Sequence, residues 1–241
     1  MFPIPILLTL RKRKYMEETY DLKTYKEEYR RVLDLAESSP LEKTGEALDL
    51  YYDVCCGCVL VAEASLREQE DEWEIASLCK VLLKYAAWLE EFDHMLDSAY
   101  SVVSRFEDCL MDHPRLKLRL LELELTIVRR IEALNDRELS HAEDLERDIS
   151  LYKRNIHFAD NNQLDSIEQT GYSLKKDPVE WTARWEEVID EADRIAFANL
   201  RDVSRGMGFC FSYWHEREKA LRQFGIEWRS PAEMNPKVRF D

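Results

Sequence analysis

The chain is short of helix breakers. Of 241 residues only 6 are Gly and 7 are Pro, and between Gly57 and Gly171 the only one of either type is Pro114. Strands joined by tight turns need Gly and Pro far more often than that, so a sheet protein is excluded over this stretch. Other absences narrow the chemistry. There is no Gly-rich phosphate loop, no G-x-S-x-G elbow, no Ser-His-Asp set and no second C-x-x-C to complete a zinc site. No repeat of solenoid length is visible, and no apolar run is long enough to span a bilayer. The sequence therefore carries no catalytic residues and no cofactor motif.

What is present is helix-forming material rich in Leu, Glu, Ala, Arg and Lys. With 45% hydrophobic residues there is enough apolar side chain for a core despite a mean hydropathy of -0.49. The formal net charge of -15 is unevenly spread. Met16 to Gly171 holds 18 basic and 36 acidic residues, and Tyr172 to Asp241 holds 12 and 13. So acidic a first part repels phosphate backbones, which argues against direct nucleic-acid binding there. The six cysteines sit within helical apolar patterns, which points to free thiols in a reducing cytoplasm. Cys55-Cys56-Gly57-Cys58 lies inside a helix with no strand before it, so it reads as small residues at a close helix crossing. At the N-terminus an apolar stretch with Pro3 and Pro5 precedes the basic run Arg11 to Lys14, the reverse of a secretory signal. Met16 is expected as the true or alternative start, and residues 1–15 as a disordered extension. A membrane-surface anchor is the competing reading of that segment.

Periodicity predicts the fold class: all-α, with an up-and-down bundle of about six helices over 16–157, a linker over 158–176, and a two-helix module with an ordered, extended tail over 177–241. The helices are expected at about 16–37, 41–70, 73–89, 94–112, from Pro114 onward, and from an Asn135 N-cap with Glu138 completing a capping box. The fifth, apolar on most sides, is expected to be the most buried through Leu120, Leu123, Ile127 and Ile131. Asp177-Pro178-x-Glu180 opens the seventh helix, Gly206-Met207-Gly208 breaks it, and Gly225 ends the eighth. The tail holds Trp228, Met234, Val238 and Phe240, and Trp228 is expected to pack near Trp181, Trp185 and Trp214.

Two patterns carry candidate chemistry. Glu-x-x-His occurs at Glu91–His94 and Glu138–His141, the spacing used by ferritin-like di-metal bundles. Phase turns Glu91 to water, leaving Glu138 and His141 as metal candidates for a di-metal enzyme. The eighth helix and tail combine aromatic and basic residues: Trp214, Arg217, Arg222, Trp228, Arg229 and Phe240. These are interaction candidates for a protein partner, with single-stranded nucleic acid as the alternative ligand.

Three Leu-rich stretches carry a family resemblance: Leu78-Cys79-x-x-Leu82-Leu83-x-Tyr85, Pro114-x-Leu116-Lys117-Leu118-Arg119-Leu120-Leu121, and Asp136-x-Glu138-Leu139-x-x-Ala142. Over about residues 46–150 their order and spacing resemble the UpxZ-type antagonists of transcription antitermination from gut Bacteroides. Those are small helical proteins thought to act by binding antitermination factors of other capsule loci. Gly206-x-Gly208-Phe209-Cys210-Phe211 through Trp228-Arg229-Ser230-Pro231 to Asn235-Pro236 resembles a C-terminal module of uncharacterised proteins from the same bacterial group. The resemblance implies a non-catalytic, cytoplasmic regulatory protein that works by holding a protein partner.

Overall fold

A computed structural model describes residues 20–38, 44–169 and 174–240. The expected extension over 1–15, the Ser39-Pro40 stop and Gly171 lie outside the described residues. Among those described the chain is all-α, without a strand. The helices are α1 (Leu22–Ser38), α2 (Gly45–Glu68), α3 (Ile75–Glu90), α4 (Leu96–Glu107), α5 (Pro114–Asn135), α6 (Ser140–Asp160), α7 (Ala183–Asn199), α8 (Phe209–Gln223) and the single-turn α9 (Pro231–Met234). Short 3₁₀ turns lie at Glu72–Glu74, Asp93–Met95, Leu164–Ser166 and Pro178–Trp181.

The chain forms two compact units. One comprises residues 1–110 and 119–146, the other 111–118 and 147–241. The second unit is therefore discontinuous in sequence. The stretch expected as a linker shares in that unit: residues 158–160 finish α6 and Leu164–Ser166 forms a 3₁₀ turn.

In the first unit α2 packs against α1, α3 and α4. Small side chains explain this. Val54, Cys55, Cys58, Val59, Ala62 and Ala64 are fully buried, and a helix of small residues lets neighbours approach on several sides. At Gly57 an added Cβ would stand 2.9 Å from the Tyr29 ring and 3.6 Å from the Tyr29 Cα, so the α1–α2 crossing is as close as a bare backbone permits. The thiols are free, and burial pushes those of Cys55 and Cys58 well above the usual range, as suits packing groups rather than nucleophiles.

Helix α5 is less buried than expected. Leu120, Leu121, Ile127 and Val128 face inward, but Leu123 and Ile131 are half-buried. Its Arg and Glu side chains account for that, since their charged ends make ion pairs. Arg130 bridges to Glu90 at 2.8 Å and Asp93 at 2.5 Å, and Arg129 to Glu146 at 2.5 Å. The α5–α6 turn also departs from the expected capping box. Asn135 is the last residue of α5, Asp136 takes the left-handed conformation at φ 48°, and α6 begins at Ser140. The connection, longer than expected, is held by Glu132, whose carboxylate accepts the Leu139 N–H at 2.5 Å. The first helix likewise starts later than Met16, at Leu22, with Asp21 accepting the Thr24 N–H at 2.8 Å.

In the second unit Asp177, Pro178 and Glu180 form the expected reciprocal cap, but on a 3₁₀ turn. Thr182 then caps α7 by accepting the Trp185 N–H at 3.2 Å. The tail contains a further helical turn, α9, with its own Ser230/Glu233 capping box. Two asparagines pair with backbone as a strand would. Asn155 bonds both ways to Glu168 at 2.8 and 2.9 Å, and Asn235 does the same to Lys175 at the same distances.

Filling the close crossing should be costly. Gly57→Leu is expected to lower stability by roughly 1–3 kcal/mol through overpacking against Tyr29. Gly45→Ala, where nothing lies within 4 Å, should leave urea denaturation unchanged or slightly improved.

Candidate interaction surface

Helix α8 organises the second unit because its two sides do different jobs. It starts at Gly208, held at φ 81°, and ends in a Schellman turn. There the N–H of Gly225 (φ 78°) donates to the Arg222 carbonyl at 3.1 Å and that of Ile226 to the Leu221 carbonyl at 3.0 Å. That turn sends the tail back over α7 and α8. The inward residues Arg217, Ala220 and Leu221 follow i, i+3, i+4 spacing. Ala220, Leu221, Ile226 and Trp228 share one core with Trp185, Val188, Ile189 and Ala192 of α7.

Arg217 is buried at the top of that core. Its guanidinium lies 5.3 Å from the rings of Trp185 and Trp228 and 5.6 Å from that of Tyr213. It pairs with Asp112 at 2.7 Å and Asp193 at 2.8 Å. Lys176 reaches Asp112 at 3.5 Å and Glu180 at 3.7 Å, and Glu180 accepts the Trp228 indole N–H at 2.8 Å. The Trp185 indole donates to the Asp112 carbonyl at 2.9 Å. Three carboxylates thus share two cations. Burial works against ionisation of Asp112, yet the charges of Arg217 and Lys176 hold its carboxyl well below the usual range. Asp193 is the one left short: burial pushes it up to about 7, with Arg217 opposing. Burial likewise raises Glu180.

The outward side differs. Met207, between two glycines, is 93% exposed, and Phe211 and Val238 are 47% and 45% exposed. Phe211, Trp214 and Phe240 meet edge-to-face, with centroids 5.5, 5.1 and 6.5 Å apart. Trp214 also packs on the α7–α8 core from outside. An apolar cluster of this kind, on a unit whose own core is filled, can seat an apolar side chain of another molecule. No family model, curated protein or solved structure matches this chain.

The aromatic and basic residues expected to act together are divided by the fold. Trp214 and Phe240 lie on the outer cluster. Arg217 and Trp228 are buried, because Trp228 fills the α7–α8 core beside Trp185 at 6.1 Å. Trp181 belongs instead to a separate cluster, against Tyr152 at 4.9 Å. Arg229 is tied to Asp177 at 2.8 Å, and Arg222 to Glu218 at 2.5 Å on the surface. The metal candidates are not brought together. Glu138 is exposed ahead of α6, while His141 Nε2 faces Glu124 Oε1 of α5 at 3.1 Å. Glu91 and His94 are parted by the end of α3. Among the described residues no group of three His, Cys, Asp or Glu side chains could hold a metal ion. Met207 and Phe211 were not among the interaction candidates, and Val238, expected as part of an ordered tail, is 45% exposed. Their signal was present as apolar residues outside any buried stripe.

Arg217→Ala leaves Asp193 buried without its counter-ion and Asp112 with Lys176 alone, and should cost about 3–5 kcal/mol in urea unfolding. Arg222→Ala, at an exposed pair, should change it by about 0.5 kcal/mol or less.

The sign of the pH dependence follows from Asp193. Its folded-state value is raised, so the folded chain binds more protons than the unfolded chain between about pH 4 and about 7. Stability should fall as pH rises through that window, being higher at pH 5.5 than at pH 8. Asp193→Asn should flatten the profile, as read from thermal melts across the range.

Proposed function

We propose that this chain is a non-catalytic helical protein-interaction module whose second unit presents the docking surface. The observation that carries the reading is the outer cluster of Phe211, Trp214 and Phe240, which stays partly open to solvent, with Met207 exposed in the turn that precedes it. The six free cysteines support a reducing compartment, the cytoplasm, and among the described residues no helix is long and apolar enough to cross a membrane. A narrower form of the proposal, antagonism of a transcription antitermination factor, draws on the Leu-rich stretches over residues 46–150.

The test is a photo-cross-linking residue at position 207 in the native host. A discrete adduct, abolished by Phe211→Asp with the melting temperature retained, is the expected result. No adduct at 207, together with near-stoichiometric iron or manganese in the purified protein, would replace this reading with a metal-dependent enzyme.

A further inference from the structure

Helix α5 carries a carboxylate where its core stripe calls for a leucine. Glu124 stands at i+4 from Leu120 and i+3 from Leu121, with Ile127 and Val128 following at the same spacings, and all five are buried. Glu124 itself is 1% exposed. An apolar residue there would pack without the cost of desolvating a charge, so Glu124 is explained by what it holds. Its Oε1 meets Nε2 of His141, the second residue of α6, at 3.1 Å. Its Oε2 makes no hydrogen bond. Ser104 and Glu107 of α4 act on the same carboxylate, Ser104 favouring its charge and Glu107 opposing it. The Tyr100 ring of α4 meets the His141 ring edge-to-face, with centroids 6.1 Å apart. All of these residues lie in the first unit.

We infer that His141 is a phosphoryl acceptor, taking the group on Nδ1 from a donor that carries it on nitrogen, while Glu124 holds the ring. This concerns the first unit and stands apart from the docking surface of the second.

The geometry makes His141 a nucleophile. A carboxylate accepting from Nε2 places the ring proton there and leaves the lone pair on Nδ1. Nδ1 has no hydrogen bond among the described residues, and the side chain is 43% exposed. Burial raises the basicity of Glu124, against the pull of His141 and Ser104, and a more basic acceptor makes the ring more electron-rich.

Its position favours an anionic electrophile. The ring is carried on the first turn of α6, where backbone N–H groups lack intrahelical acceptors and the helix end is positive. A phosphoryl group brings nearly two negative charges to that end. Glu138 and Glu143 flank His141 in sequence but are exposed, so solvent and salt screen them. An acyl group on a histidine open to water would be lost to hydrolysis, whereas a phosphoryl group on an imidazole nitrogen persists at neutral pH.

The step balances without a further reactant. The Nδ1 lone pair forms the new N–P bond as the donor's P–N bond breaks, and the donor nitrogen leaves with the electron pair. The ring keeps its Nε2 proton and becomes cationic. Glu124 supplies the compensating negative charge, as the buried carboxylate behind a triad histidine does. With phosphoramidate as donor the products are phosphohistidine and ammonia.

The experiment treats the full chain with potassium phosphoramidate and reads labelling at each histidine by phosphorus NMR and by peptide mass spectrometry at alkaline pH. His94, His157 and His215 are more exposed than His141, and none forms an ion pair among the described residues, so they are internal controls. His141 should label roughly tenfold faster than any of them, and Glu124→Gln should bring it down to their rate while the melting temperature holds. His141→Gln should remove the fast site and leave the slow ones. Equal labelling at the four, or the slower labelling of His141 that exposure alone dictates, overturns the proposal in the parent chain without any variant. Fast labelling that survives Glu124→Gln in a folded protein overturns it as well. Should Glu124→Gln fail to fold, nitrogen NMR of the parent's His141 ring decides: a protonated Nε2 with a bare Nδ1 is expected, and the reverse tautomer overturns the proposal.

Discussion

The second unit depends on one buried guanidinium. Arg217 is the point where α8, α7 and the short segment before α5 meet, through Asp193 on one side and Asp112 on the other. Desolvating a charge is expensive, and the structure offsets it with two carboxylates and three ring faces rather than one strong partner. The same constraint orders the tail. Trp228 can lie against Arg217 only because the Gly225 turn brings the chain back, and its indole N–H then meets Glu180. The reciprocal cap at Asp177 and Glu180 is thus both a helix start and part of the ionic core, since Asp177 also holds Arg229.

Helix α8 separates interior from exterior with one turn of spacing. Arg217 and Trp214 are three residues apart, yet the first is buried and the second faces both core and solvent. A single helix therefore fixes the outer cluster rigidly to the most tightly partnered part of the unit. A surface built on a helix braced in this way loses little conformational freedom when it is occupied.

Much of the fold was legible because it rests on local rules. Pro114 opens α5, Gly208 and Gly225 bound α8, and the spacing of Trp185, Val188, Ile189 and Ala192 marks the inner face of α7. What was illegible depends on contacts distant in sequence. Nothing near Glu132 shows that its side chain will reach the Leu139 N–H and end α5 where it does. Nothing near Arg217 announces Asp112, so the residue reads as part of a basic patch when it is part of a core. Conversely Gly206-Met207-Gly208 looks like a plain breaker, because exposure of a methionine is a property of the folded surface. The greater burial of α2 over α5 has the same origin: small residues pack more closely than leucines hedged by charge.

The discontinuous second unit has a consequence in time. Asp112 and Arg217 are 105 residues apart. At synthesis rates of about 5–20 residues per second, Asp112 is made roughly 5–20 s before Arg217. During that interval the rest of the first unit, residues 119–146, is completed, while the second unit still lacks Arg217. The second unit closes only once α8 and the Gly225 turn have been made.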